Sequence, residues 1–397
     1  MAEIMVIGGG IAGTAAALGL HKAGFDVTVH EAHPDSGADG GAFLSLASNG
    51  MRALAELDAA AAVAELGFPL ATMRVLDEAG AQLADVPLGE HDQVLTSYRC
   101  LRRAELAECL RRLVRDRGIP IRHGARLVGL TEGPSGATAT FADGSSATAE
   151  LAVGADGLNS AVRGQLDPGA PRPEYAGQRV FYGYTAAAPT PSEECADRIT
   201  MVRGSGAAFG YAYSPAGEAY WFARVPGPPA SAAELAGTGP AQWREQLLPL
   251  LRPDRTPTAD IVAATTDRLM VTNAQHLPAG GNWRGKRTVL VGDAAHAASP
   301  ATGQGASMAL EDAVVLAKAL RDALPDADAR PAALERYERL RRPRAEQNME
   351  TSAKLTASRT TTTAAPRDSA HPAPRVDDGL LRLLDWRTPL PEDGPEA

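Results

Sequence analysis

Cysteine is scarce in this chain: Cys100, Cys109 and Cys195 are its three thiols. An odd, sparse set without CxxC spacing argues against a disulfide scaffold or a thiolate metal site. Buried thiols in a reducing compartment fit better. A cationic surplus is also missing. Lys and Arg total 39 against 48 Asp and Glu, a net charge of −9, so nucleic acid and anionic membrane are poor partners. No run approaches the roughly 18 apolar residues of a bilayer span. The apolar start, residues 1–7, is broken by Gly8 and lacks a basic region, so it does not read as a secretory signal. A cytoplasmic location is the expectation. His91, His123 and His276 form no ligand pattern, and no metal site is expected. Aromatic residues make up only 5%, which makes any aromatic cluster informative.

The rest is ordinary for a globular enzyme: 397 residues, 44% hydrophobic and 22% charged, enough for two lobes or three. Residues 2–31 read as one βαβ unit: an apolar strand at 4–7, a small-residue helix at 14–23 closed by Gly24, and a second strand around Val27 and Val29. Helices are predicted over 49–66, 101–117 and 305–323. A hairpin is predicted over 73–86, turning at Ala79-Gly80. Between about 171 and 270 the pattern becomes β-like and holds most of the aromatics. Residues 351–374, rich in Thr, Ala, Ser and Pro, read as a poorly ordered linker. Residues 379–386 regain apolar character and should pack back onto the body.

Three strand ends carry chemistry. The first is Gly8-Gly9-Gly10-Ile11-Ala12-Gly13. Gly8 permits a tight turn, Gly10 lets amides approach a pyrophosphate, and Gly13 lets the helix pack close to the sheet. Glu31 follows where a carboxylate accepts ribose hydroxyls, which disfavours a 2′-phosphate and selects FAD or NAD. The second is the run Gly154-Ala155-Asp156-Gly157, with a helix expected from Asn159 or Ser160. The third is Gly292-Asp293-Ala294-Ala295-His296, followed by Pro300-Ala301-Thr302-Gly303-Gln304-Gly305 and the pair Glu311-Asp312. Its aspartate can accept from a polyol such as ribityl. Its glycines free amides at a helix N-terminus, which stabilises negative charge.

Together these motifs resemble the class A FAD-dependent monooxygenases, typified by para-hydroxybenzoate hydroxylase, over roughly residues 2–350. The resemblance implies an α/β fold: a Rossmann-type FAD domain (1–72, 96–170 and 271–350) with an inserted mixed or antiparallel β-sheet substrate domain (73–95 and 171–270). Residues 351–397 form a linker and C-terminal helical segment. It implies that Gly8, Gly10, Ile11, Ala12 and Gly13 hold the FAD pyrophosphate and Glu31 the adenosine ribose. Arg103 contacts FAD, with Arg102 and Arg99 as competitors. Asp156 lies near FAD and is linked to nicotinamide binding. Asp293 binds ribityl, and Pro300, Gly303, Gln304 and Gly305 border the isoalloxazine. Ala32 departs from the Arg or Lys many members carry after the acid. One fingerprint only is present, so NADH or NADPH would visit transiently. The implied reaction is hydroxylation of a small aromatic or polycyclic substrate with NAD(P)H and O2 through a flavin C4a-hydroperoxide. Epoxidation and Baeyer–Villiger oxidation stay open, as do a flavin-free NAD-dependent dehydrogenase and a non-catalytic flavoprotein.

Other residues read more plainly. His296 is read as structural or flavin-orienting rather than as a base. Of the aromatics in the β-rich block, Tyr211, Tyr213 and Trp221 are put forward as substrate-lining. The run from Arg341 to Arg344 reads as a solvated face at a helix end.

Overall fold

The computed structural model describes residues 2–34, 42–89, 93, 95–134, 136–189, 196–324, 326–357 and 378–392. Five parallel strands form the central sheet, in the order Thr288–Leu290, Leu151–Gly154, Glu3–Ile7, Asp26–His30, Ile121–Arg122. Their apolar runs bury on both faces, as a parallel sheet requires. The helix Ile11–Lys22 crosses over between the first two strands of the chain and packs against Gly305–Asp322, which is buried along most of its length. A hairpin, Ala137–Phe141 with Ser146–Ala149, pairs with Leu127–Glu132 as a small second sheet.

The β-rich block forms a seven-stranded sheet in the order Leu269–His276, Glu174–Thr185, Ala219–Pro226, Ala208–Tyr213, Arg198–Arg203, Thr72–Asp77, Gln82–Pro87. All pairings are antiparallel except Arg198–Arg203 with Thr72–Asp77. The hairpin expected over 73–86 is thus the sheet's edge. Period-two alternation gives this sheet two buried faces. One packs Phe181, Phe209 and Trp221 against Trp243 and Leu247 of the helix Pro240–Leu251. The other turns toward the parallel sheet.

Several sequence expectations are corrected. The helix expected over 101–117 begins at Arg103. Residues Arg99–Arg102 form a buried strand between Phe43–Leu46 and Phe68–Pro69, so tertiary pairing overrides helical spacing. The helix expected over 49–66 is two, Ser48–Glu56 and Ala60–Ala64, broken where Asp58 adopts φ 54°. The strand that runs into the Gly154-Ala155-Asp156-Gly157 turn is Leu151–Gly154, separate from Ser146–Ala149. The linker reading of 351–374 fails at its start, because the helix Arg330–Ala357 runs through it. There Ser352 and Thr356 are buried and meet the Ser299 hydroxyl at 2.9 and 2.8 Å. The remainder of that stretch, Cys195 and His91 lie outside the described residues. Cys100 and Cys109 are buried free thiols. The last helix, Asp378–Leu384, does pack back: Leu380 and Leu384 are buried, and the Lys318 ammonium donates to the Leu383 and Asp385 carbonyls at 2.7 and 2.6 Å.

Candidate active site

A cleft of about 760 Å³ opens at the C-terminal ends of the parallel strands and runs to the second face of the seven-stranded sheet. Gly8 turns out of the first strand at φ 109°, where an added Cβ would meet the Ala155 backbone. A Cβ on Gly13 would collide with the Gly8 carbonyl, so helix and turn sit in direct backbone contact. Gly10 differs: a Cβ there meets no atom within 4 Å and projects toward the cleft it lines with Ile11 and Ala12. The helix that follows has no side-chain cap and no acid in its first turn, so its amide end is left to an anion.

At one end of this cleft stands Glu31. Its carboxylate accepts the Gly9 N–H at 2.6 Å and the His33 N–H at 2.8 Å. Both oxygens are held in place while lone pairs remain for a ligand's hydroxyls. Of the three competing arginines, Arg99 is buried and donates to the Leu66 carbonyl at 3.2 and 3.0 Å. Arg102 pairs with Glu218 at 2.7 Å and lies over the Tyr184 ring at 5.0 Å. Arg103 alone of the three lines the cleft. Arg111 and Arg126 also line it and were not foreseen. Arg103, Ala107 and Arg111 recur at i, i+4 and i+8 on one helix, a spacing that could have flagged Arg111; nothing local marks Arg126.

Asp156 borders the cleft with its oxygens engaged. It accepts the Ser160 hydroxyl at 2.6 Å and the N–H groups of Ala161 and Val162 at 2.7 and 3.1 Å. Burial pushes its carboxyl up against the pull of these bonds. It anchors the start of the helix Ala161–Leu166, with Ser160 at the N-cap. Asp293 is solvent-exposed within the cleft, after Gly292 at φ 59°. Pro300, Gly303, Gln304 and Gly305 follow along the same wall, and the helix starting at Gly305 again has neither side-chain cap nor first-turn acid. Gln304 is buried; its Oε1 accepts from Asn49 at 3.1 Å and its Nε2 has no partner.

Behind this wall lies a buried ionic network. Arg341 is wholly buried, with Nη1 at 2.6 Å from Glu311 and Nε at 2.8 Å from Asp312. Arg344 pairs with Glu311 at 2.8 Å. The expected solvated face is therefore corrected at two positions: the long helix carries Arg341 and Arg344 inward to the Glu311-Asp312 pair, while Arg342 stays part-exposed with Glu338 and Glu346. Asp312 also accepts the Gly292 N–H at 2.9 Å and lies 2.6 Å from His296 Nε2. Burial opposes ionisation of both groups, yet their mutual attraction wins: Asp312 is held well below the usual carboxylate range and His296 is raised. The network fixes the turn from Gly292 onward, and His296, fully inside it, orients that turn.

Tyr211, Tyr213 and Trp221 do not line the cleft. They belong to the opposite face, where Trp221 stacks on Phe209 at 5.4 Å and donates to the Thr265 hydroxyl at 2.9 Å. Strand parity decides this. The register pairs Val180 with Arg224 and Tyr182 with Phe222, and these four, with Ile199 and Met201, face the cleft.

The FAD binding domain family matches residues 1–352. A 3-amino-4-hydroxybenzoate 2-monooxygenase of Streptomyces platensis is 35% identical over 357 residues, covering 86% of this chain and 84% of that protein. Aurachin C monooxygenase/isomerase of Stigmatella aurantiaca is 32% identical over 344 residues, covering 86% and 85%. The chain is a class A FAD-dependent monooxygenase. The crystal structure of Klebsiella pneumoniae HpxO complexed with FAD and uric acid superposes on this monooxygenase with a TM-score of 0.79 at 28% identity, covering 91% of this chain and 89% of that one. The monooxygenase's cleft fits its cofactor. Gly10 presents a cradle that a Cβ would fill, two uncapped helix ends face one groove, Glu31 is fixed for hydroxyls, and the Gln304 amide is an unpaired donor. No described helix is long and apolar enough to cross a membrane, and no described His, Cys, Asp and Glu residues group as a metal site.

Proposed function

We propose that this monooxygenase hydroxylates a small aromatic substrate, using NADH or NADPH as reductant and O2 as the oxygen source. One observation carries the reading. The fingerprint wall, the Asp293 to Gly305 wall and the apolar sheet face of Val180, Ile199, Met201 and Phe222 line one continuous cleft. FAD, when bound, supplies electron transfer from the nicotinamide and activation of O2. The chain's own residues do the rest. Gly8 to Gly13 and Glu31 hold the nucleotide half, with Arg103 alongside. Asp293 holds the ribityl chain, and the amide end at Gly305 favours negative charge on the ring edge beside it. The sheet face excludes water and seats a flat ring. One oxygen atom enters the ring; the other leaves as water with the two reducing electrons. A relative named for an aminohydroxybenzoate and a structural neighbour holding uric acid support a small, electron-rich ring.

The test is a panel of hydroxylated and aminated aromatics scored by NAD(P)H consumption, O2 uptake and product. At least one should stimulate NAD(P)H oxidation and gain one oxygen atom. A flavin-loaded protein that no aromatic stimulates would contradict the reading.

A further inference from the structure

We propose that Arg224 is the anion-recognising residue of the substrate pocket, and that the substrate is an aromatic acid whose carboxylate pairs with its guanidinium. The inference rests on the hydroxylase reading above and narrows its substrate class. Arg224 lines the cleft from the strand Ala219–Pro226 and is only 5% exposed. Its Nε and Nη1 have no hydrogen-bond partner, and no carboxylate of the described residues pairs with it. Its neighbours are the Phe222 ring, 6.0 Å away, and Tyr182 on the adjacent strand.

The other buried arginines each lie against a carboxylate or a carbonyl. Arg341 has Glu311 and Asp312, Arg111 has Glu108, and Arg330 has Glu150. Arg163 donates to the Ala294 and Leu158 carbonyls, and Arg99 to the Leu66 carbonyl. Burial pulls the Arg224 guanidinium down to about 10, still cationic at neutral pH. A desolvated, unpaired cation is costly to fold around. It is accounted for when a ligand brings the missing anion, and it then confers specificity by the cost of leaving it unpaired.

The surroundings select the kind of anion. The walls beside Arg224 are Val180, Ile199, Met201 and Phe222, which suit a flat hydrocarbon ring. A single planar guanidinium matches one carboxylate through two parallel hydrogen bonds.

The experiment uses the FAD-loaded enzyme and matched probes: 4-hydroxybenzoate, 3-amino-4-hydroxybenzoate and salicylate, each beside its primary amide. Binding is read from perturbation of the flavin spectrum, and turnover from NAD(P)H oxidation. At least one acid should bind the natural enzyme about 10- to 100-fold tighter than its amide. Arg224→Gln should erase that ratio by weakening the acid alone, with FAD affinity unchanged; Arg224→Lys should restore part of it. A second measurement needs no ligand: Arg224→Met should raise the thermal midpoint, because an unpaired buried charge is removed. Equal binding of acids and amides, failure of every acid to bind, loss of FAD in Arg224→Gln, or a lowered midpoint in Arg224→Met would each overturn the inference. Stimulation by amides or other neutral aromatics alone sinks the Arg224 inference and leaves the hydroxylase reading standing. Silence from every aromatic, neutral or acidic, sinks both.

Discussion

Gly10 and Glu31 show how single residues shape the cofactor end. A side chain on Gly10 would project into the cleft without touching protein. Gly10→Val should therefore fold normally but purify without flavin, checked by the visible spectrum and by unchanged circular dichroism. Glu31 is held by the Gly9 and His33 amides, so removing it loosens the turn and, on the proposed reading, also loses a ligand contact. Glu31→Ala should weaken FAD by about 1.5–3 kcal/mol, measured by titrating the apoprotein; unchanged affinity would place the ribose elsewhere. The placement of both residues was legible in the sequence because it is local: strand, turn, helix and acid follow within one βαβ unit. The preference for Arg103 over Arg99 and Arg102 came only from the family resemblance, since three neighbouring arginines differ only in which way a strand-to-helix junction turns them.

Elements taken whole explain both the successes and the misses. The β-like character of residues 171–270, where Ala208–Tyr213 and Ala219–Pro226 lie, was readable from the sequence, but the face directed at the cleft was not. Aromatics occur at both parities, and only pairing with the rest of the sheet separates Trp221 from Phe222. The Arg341 network escaped for a related reason: its partners lie some thirty positions away on Gly305–Asp322, and a charge run by itself looks solvated. Breaking the network should be severe. Arg341→Met removes the buried cation that Glu311 and Asp312 share, leaving Glu311 only Arg344 and Asp312 only His296, and should cost about 3–5 kcal/mol in chemical denaturation. The His296–Asp312 pair adds a pH dependence. His296 has its pKa raised in the fold above 6.5, so its stabilisation is complete below 6.5 and is lost as pH rises through the raised value. Asp312 is depressed below 3.8, so its share is present above 3.8 and is lost as pH falls through the lowered value. The stability gap between the natural protein and His296→Asn should be widest between those limits and shrink toward alkaline pH. A gap that widens there would contradict the ion pair.

The whole molecule is two bodies of different texture facing one cleft. A parallel sheet supplies turns, helix ends and a carboxylate; a seven-stranded sheet supplies apolar walls and one buried guanidinium. Motif order along the chain revealed the first body and the insertion of the second. It could not reveal the pocket, because pocket residues come from strands whose register is set only by folding. Coupling between the two bodies is read most directly in Gly305→Val. Gly305 opens the helix beside Asp293, and a Cβ there lies 3.9 Å from the Asp293 Oδ1, so the protein leaves room for a Cβ at this position. The decisive measurement is the ratio of hydroxylated product to NAD(P)H consumed, with hydrogen peroxide counted as the leak, in this variant and in the natural enzyme. The expected result is a variant that keeps FAD but diverts most of its reducing equivalents to peroxide, because the ring no longer sits correctly against the substrate wall. A variant that binds FAD and hydroxylates with undiminished coupling would show that the Pro300 to Gly305 turn is not the platform for the flavin.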